Sequence, residues 1–162
     1  MSQVSHALDT EHRASLELLG RLEQALARAP RGVPPGDTGF GRLAGAFTRL
    51  IEQDIARHFD FEESELFTRM AAAGDSGLAA LLQEEHAAIR EVAAEILPRA
   101  RAAAAGTLDG AGFEQFRRGA LEMVERQVSH IQKETMALLP LIDDLLDEDT
   151  DRELAFAYAA AG

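Results

Sequence analysis

Three clusters rich in glycine and proline divide the chain into four long segments, and this division limits its possible folds more than any other feature. The clusters lie at residues 30–39, 74–77 and 106–112, and such runs are typical of turns. Each segment between them carries apolar residues at helical spacing. We therefore predict four long helices and a short fifth one, near residues 4–29, 39–73, 77–105, 111–146 and 149–160.

Short connections between long amphipathic helices place successive helices antiparallel. The predicted fold class is therefore all-α, an up-down-up-down antiparallel four-helix bundle with a short C-terminal helix. A length of 162 residues suits one ordinary domain, so we expect residues 1–162 to form a single domain with its bundle at about 4–146. Pro98 and Pro140 fall inside helical segments, and each is expected to kink or end its helix.

The charge balance narrows the classes of partner. The chain has 28 acidic and 16 basic residues, a formal net charge of −12, which repels nucleic-acid phosphates and anionic lipids. We therefore expect neither a nucleic-acid nor a membrane partner. The absence of cysteine excludes thiolate metal sites and thiol catalysis, so any metal must be held by nitrogen and oxygen. No leader or long apolar run is visible, which favours a cytoplasmic protein.

Each helix of the predicted bundle carries one histidine at an interior position, and two of these histidines have a glutamate four residues later. The six residues are His12, His58, Glu62, His86, His130 and Glu134. A step of four residues leaves two side chains about 40° apart around a helix, so both point the same way. Titratable groups on the core face of a bundle need partners or a metal, because burying them alone is costly.

Four imidazoles and two carboxylates suit a dinuclear metal site. If both carboxylates bridge the metals together with an oxide or hydroxide, each metal has five donors and keeps a position open for a diatomic molecule or peroxide. Iron accepts such mixed donors better than zinc, which is usually four-coordinate. The alternative is a hydrogen-bonded polar core without metal.

Two stretches of the chain recur. Residues 8–12 are echoed by residues 82–86, 74 positions later, and residues 58–67 by residues 130–139, 72 positions later. The chain therefore looks like two helix pairs related by a pseudo-twofold axis. The stretches that recur are those that carry the candidate metal ligands.

Five other carboxylates lie near the candidate ligands along the chain. Asp54 and Glu65 lie near the apolar stripe of the second helix, so they are candidates to hydrogen-bond the ligands. Glu63 points off that stripe. Glu11 and Glu85, each next to a histidine, are expected at the surface, where they could guide ions or protons.

The sequence resembles the hemerythrin-like, or HHE cation-binding, domains at residues 58–67, 85–89 and 130–140. Those domains carry a histidine on the first and third helices of a bundle and a histidine-x-x-x-glutamate pair on the second and fourth. The resemblance implies two iron ions in an oxo- or hydroxo-bridged centre. It implies His12 and His58 on one iron, His86 and His130 on the other, and Glu62 and Glu134 bridging them.

Two positions differ from the oxygen-carrying hemerythrins of invertebrates. Arg90 stands where those proteins have a second histidine on the third helix, and Thr135 stands where they have an aspartate. The ligand set is closer to that of bacterial proteins that repair iron centres after nitrosative stress. Those proteins carry an added N-terminal segment with cysteines, which this chain lacks.

Three functions follow as hypotheses. The first is binding or sensing of a small molecule such as oxygen or nitric oxide at a carboxylate-bridged di-iron site. The second is an enzyme of stress response or iron handling, which oxidises iron, decomposes peroxide or donates iron for cluster repair. The third is a metal-free or zinc-loaded interaction bundle, in which the polar core only fixes registry. The sequence leaves catalysis, the protein partner and the oligomeric state open.

Overall fold

A computed structural model describes residues 1–162, and all of its regular elements are helical. The helices are α1 (Gln3–Arg28), α2 (residues 38–72), α3 (Ser76–Ala105), α4 (residues 110–145) and α5 (Glu148–Ala160). Their bounds lie within one residue of the predicted ones. The number and the placement of the helices are therefore confirmed.

The four long helices form the predicted bundle. Each long helix packs against the next one along the chain, and α4 returns to pack against α1. The short α5 lies against α1. The up-down-up-down bundle with a short C-terminal helix is therefore confirmed. None of these helices combines the length and the apolar character needed to cross a membrane.

Both α2 and α4 contain wide π turns, which the regular helical spacing of the sequence does not predict. They lie at Leu50–Asp54 and Glu62–Phe67 in α2 and at Glu134–Leu138 in α4. Two of the three turns begin at the candidate glutamates. Such turns are rare and occur frequently at functional sites.

Neither proline ends its helix. Pro98 lies inside α3, which continues to Ala105. Pro140 lies two residues after the π turn of α4, where the N–H of Leu139 bonds to the carbonyl of Glu134, five residues earlier. The wide turn has already left the regular hydrogen-bond pattern, so the missing N–H of Pro140 does not stop the helix there.

A polar layer divides the apolar interior into two clusters. The larger cluster is built around Phe47, Phe113 and Phe116, and the smaller one around Met70 and Ile142. On each long helix, the residues between the two clusters are the histidines and glutamates singled out by the sequence analysis. The apolar packing on either side therefore fixes the height of these side chains in the bundle.

The short α5 is held to the start of α1 by a buried carboxylate. Asp151 accepts hydrogen bonds from the backbone N–H groups of Gln3 and Val4, both at 2.9 Å. We expect Asp151→Ala to lower the free energy of unfolding by about 1–2 kcal/mol, because these first-turn N–H groups lose their acceptor. Urea denaturation measures this loss, and Asp149→Ala, at an exposed position of α5, is the control. Equal stabilities of the two variants would contradict the assignment.

Candidate metal centre

The six candidate ligands converge in the middle of the bundle. They are all buried and form two groups, one with His12 and His58 and the other with His86 and His130. Both groups include Glu62 and Glu134, and the ligand atoms within each group lie within 4.8 Å of one another. His6, the fifth histidine of the chain, is exposed as expected. The helical spacing and the apolar stripes therefore bring together the six residues that the sequence singled out.

Glu134 lies between all four histidines. Its Oε2 atom is 2.8 Å from Nε2 of His12 and 3.6 Å from Nε2 of His58. Its Oε1 atom is 2.5 Å from Nε2 of His130 and 3.4 Å from Nε2 of His86. One carboxylate oxygen thus faces each histidine pair.

Glu62 has the same relation to the two histidine pairs. Its Oε1 atom lies 2.8 Å from Nε2 of His58, and its Oε2 atom lies 3.1 Å from Nε2 of His86. Both glutamates therefore offer one oxygen to each side of the cluster. This is the arrangement that two carboxylates need in order to bridge two cations.

The second ring nitrogen of each histidine points outward to an acceptor on a neighbouring helix. The Nδ1 contacts are His58 to Glu11 at 2.9 Å, His86 to Glu63 at 2.8 Å, His130 to Glu85 at 2.8 Å and His12 to Thr135 at 3.2 Å. An ionised carboxylate only accepts hydrogen bonds, so at least three Nδ1 atoms donate. This leaves their Nε2 atoms for the interior, as is usual for metal-binding histidines.

The outer carboxylates differ from those expected. Glu11 and Glu85 are not free surface groups, and Glu63 holds a histidine although it points off its own stripe. Glu65 instead pairs with Arg69 at 3.5 Å, and Asp54 makes no hydrogen bond to a histidine. The expectation for Asp54 and Glu65 was therefore wrong. That expectation used only the position of each residue around its own helix. Each outer group in fact binds a histidine on a neighbouring helix.

Each outer carboxylate is itself held in place. Glu11 accepts hydrogen bonds from Tyr158 of α5 and from Arg57. Burial alone would raise the pKa of Glu11, but the hydrogen bonds from His58 and Tyr158 and the nearby positive charges lower it below its usual value. Tyr158 was not singled out from the sequence, and nothing in its local pattern connects it to the cluster.

Glu63 and Glu85 have cationic partners as well. Glu63 pairs with Arg90 at 2.6 Å, and Glu85 accepts a hydrogen bond from Lys133. Burial alone would raise the pKa of both carboxyl groups. Their hydrogen bonds to these partners and to the histidines instead lower the pKa below its usual value. Both groups are therefore ionised acceptors at neutral pH.

The interior carboxylates raise the pKa of three of the histidines, His58, His86 and His130. Burial disfavours the charged imidazolium of His58, but the charge of Glu62 and hydrogen bonds to carboxylates raise its pKa well above 6.5. Burial also lowers the pKa of His86, but hydrogen bonds to Glu134 and Glu62 outweigh this effect and raise the pKa to about 9. Burial would also raise the pKa of Glu134, but hydrogen bonds from the surrounding histidines hold it well below its usual value. The cluster therefore already stabilises positive charge at its centre.

The hydrogen-bond geometry of the inner donor atoms also fits a bound metal ion. Both carboxylate oxygens of Glu62 and Nε2 of His130 are fully buried and have no hydrogen-bond partner of suitable geometry. Opposing nitrogen or oxygen atoms nevertheless lie 2.5–3.1 Å away. Short distances without hydrogen-bond geometry are expected where donor atoms converge on a shared cation, and buried polar atoms otherwise rarely lack partners.

The two sides of the cluster have different surroundings. Phe59 stacks on His86 with ring centroids 3.6 Å apart, and Phe67 lies 5.2 Å from the same ring. By contrast, a cavity of about 250 Å³ between α1 and α2 reaches His12 and His58. The structure therefore gives an approach from outside to the His12–His58 side.

Comparison with known proteins agrees with this arrangement. No curated protein shows a significant match to the chain. The family model for the hemerythrin HHE cation-binding domain matches residues 3–142, which include all six converging side chains and leave only the last part of α4 and α5 outside. The chain therefore belongs to the hemerythrin HHE cation-binding domain family.

Proposed function

We propose that the chain binds two iron ions, joined by an oxo or hydroxo group, and uses them to bind or sense a small molecule such as oxygen or nitric oxide. The observation that carries this proposal is the placement of the two glutamates. Each offers one oxygen to the His12–His58 pair and the other to the His86–His130 pair. Two buried carboxylates shared in this way suit two cations better than one.

The donor set favours iron. Each ion would have two imidazole nitrogens and two carboxylate oxygens from the protein, with further positions for the bridging oxygen and for a small molecule. Zinc in proteins is usually four-coordinate, whereas iron accepts five or six mixed nitrogen and oxygen donors. The bound ions would supply the affinity for small diatomic molecules, and the chain's own residues would control access to them.

The cavity between α1 and α2 supports access of a small molecule to the His12–His58 side. Gln127 lines this cavity, is only 5% exposed, and has a side-chain oxygen with no hydrogen-bond partner. Buried amide groups without a partner are rare. The Gln127 oxygen can therefore accept a hydrogen bond from a protonated small molecule that enters the cavity, such as water or a peroxide.

The repeat in the sequence explains why the cavity on this side reaches the histidines. Ser15, which lines the cavity, corresponds to Ile89 when α1 is matched to α3 with the 74-residue offset. Ile89 is fully buried in the larger apolar cluster. A cavity of about 670 Å³ between α3 and α4 is lined by Ile89 but by neither His86 nor His130, whereas the cavity beside the smaller Ser15 reaches His12 and His58.

Metal analysis and absorption spectroscopy test the proposal. Protein loaded anaerobically with ferrous iron and then oxidised is expected to hold about two irons per chain and to absorb in the near ultraviolet. Its spectrum should change on addition of azide, and that of the reduced form on exposure to nitric oxide or oxygen. Fewer than about half an iron per chain after loading would favour the metal-free bundle instead. Two irons without any response to these molecules would reject the binding role.

We expect Ser15→Ile to slow azide association about 10-fold or more, since the larger side chain would fill the cavity beside His12. Stopped-flow absorbance measures the rate. Ala27→Ile, which adds the same branched side chain at an exposed position of α1, is the control and should leave the rate unchanged. Equal rates in the wild type and Ser15→Ile would show that azide enters by another route.

A further inference from the structure

The outer hydrogen bonds of the four histidines run around the bundle in one direction. A residue on each long helix holds the histidine of the next helix, and α4 holds that of α1. Three of these residues are carboxylates, Glu11, Glu63 and Glu85. The fourth is a hydroxyl, Thr135, whose Oγ1 atom lies 3.2 Å from Nδ1 of His12.

The internal repeat identifies Thr135 as the exception. Glu11 and Glu85 correspond through the 74-residue offset of α1 and α3. Glu63 and Thr135 correspond through the 72-residue offset of α2 and α4, and each directly follows one of the two shared glutamates. The two halves of the centre therefore have matching inner residues but differ at this one outer position.

A carboxylate and a hydroxyl have different effects on the imidazole they contact. An ionised acceptor makes a stronger hydrogen bond to Nδ1–H and raises the electron density that the opposite nitrogen offers to a metal. A neutral hydroxyl makes a weaker hydrogen bond and raises the electron density on the opposite nitrogen less. It also rotates more freely. The His86–His130 side has two carboxylate-supported imidazoles, and the His12–His58 side has one.

The surroundings of the two sides add to this difference. Phe59 and Phe67 pack on the His86 ring and restrict its motion. On the other side, the cavity lined by His12 and His58 gives water and small chelators an approach. The larger cavity between α3 and α4 reaches Glu85 but neither His86 nor His130. Weaker support and a direct approach to the ligands thus occur on the same side.

We propose that the two ions are held unequally, that the ion between His12 and His58 is the exchangeable one, and that Thr135 is the positioning residue responsible. This inference rests on the proposed function, because it requires two bound ions. Partners of metal-binding histidines typically change metal affinity by 10–100-fold when they are replaced. An outer hydroxyl in place of a carboxylate is therefore enough to separate the two positions.

Release of iron to a chelator tests this inference. Fully loaded ferrous protein is mixed anaerobically with excess 2,2′-bipyridine, and the coloured complex is followed with time. Two phases of equal amplitude are expected, with rates about 10-fold or more apart. Thr135→Glu should slow the fast phase about 10-fold, whereas Glu63→Gln should accelerate the slow phase. General loosening of the fold would instead accelerate both phases.

Thr68→Glu is the matched control, since it adds the same charge at an exposed position of α2 and should leave both phases unchanged. If Thr135→Glu does not fold, Thr135→Val removes the hydroxyl at nearly constant size, and its fast phase should become faster still. Release of both irons in one phase overturns the inference while leaving two-iron binding intact. A fast phase unaffected by either change at position 135 overturns the role of Thr135. Protein that never retains two irons contradicts the proposed function itself.

Discussion

Glu134→Ala is expected to abolish retention of both metal ions and to lower the stability of the metal-free protein by about 3–5 kcal/mol. The reason is that one carboxylate faces all four histidines, at distances between 2.5 and 3.6 Å. Its removal takes away one of the two buried carboxylates that face the imidazolium groups of His58 and His86. Metal content after dialysis should fall from about two ions per chain to fewer than about half an ion, because a shared ligand matters more than the outer partners.

Two further variants separate charge from packing in this test. Glu134→Gln keeps the volume and removes the charge, so it should lose the metal while avoiding a cavity. Glu122→Ala removes an exposed carboxylate from the same helix, where it pairs with Arg126, and should change stability by less than about 0.5 kcal/mol. Urea denaturation of the metal-free forms at pH 6 measures the stabilities. Retention of two ions by Glu134→Ala would contradict the shared position of this residue.

Metal-free protein is expected to lose stability as pH rises from 6.5 to about 9, while metal binding strengthens over the same range. His86 has a folded pKa of about 9, above the ordinary 6.5. Its contribution, about 3 kcal/mol, is therefore complete below pH 6.5 and is lost as pH rises through the folded value. Glu134 has a lowered pKa, so its contribution is present above pH 4.5 and is lost as pH falls. Metal ions require neutral imidazoles, so their binding releases protons and is favoured at higher pH.

Urea denaturation of chelator-treated protein between pH 5 and pH 9.5 measures this dependence. His86→Gln should make the decline in the free energy of unfolding above pH 6.5 less steep. His6→Gln, at an exposed position, should leave that decline unchanged. The thermal midpoint of iron-loaded protein should exceed that of the metal-free form by a margin that grows with pH. A constant stability of the metal-free protein between pH 6.5 and pH 9 would show that these histidines carry no protons in the fold.

The sequence predicted the helices and the six converging side chains for a common physical reason. Helical spacing relates residues on one helix, so the step from His58 to Glu62 and the apolar residues around it locate the inner face without knowledge of the neighbours. The clusters of glycine and proline separate the helices just as directly. Both features are local, and local features can be read from one sequence.

The outer residues could not be predicted in this way, because they depend on contacts between helices. Glu63 lies off the stripe of α2 and still holds His86 of α3, so its position has meaning only once two helices are aligned. Tyr158 reaches Glu11 from α5, far away along the chain. The pairing of Ser15 with Ile89 was available from the repeat, but its consequence for the cavity depends on packing.

The π turns allow one helix to serve two different apolar environments. A π turn contains about one residue more than an α-helical turn, which changes the rotational phase of the following residues by roughly 100°. Four and five residues after each shared glutamate, two consecutive residues are buried, Leu66 with Phe67 and Leu138 with Leu139. The π turns reset the rotational phase of the helix at the glutamates. Substitutions in one apolar cluster therefore do not require matching substitutions in the other. Single-residue deletions within either turn should therefore be far more harmful than substitutions there, since they would rotate one half of a helix relative to the other.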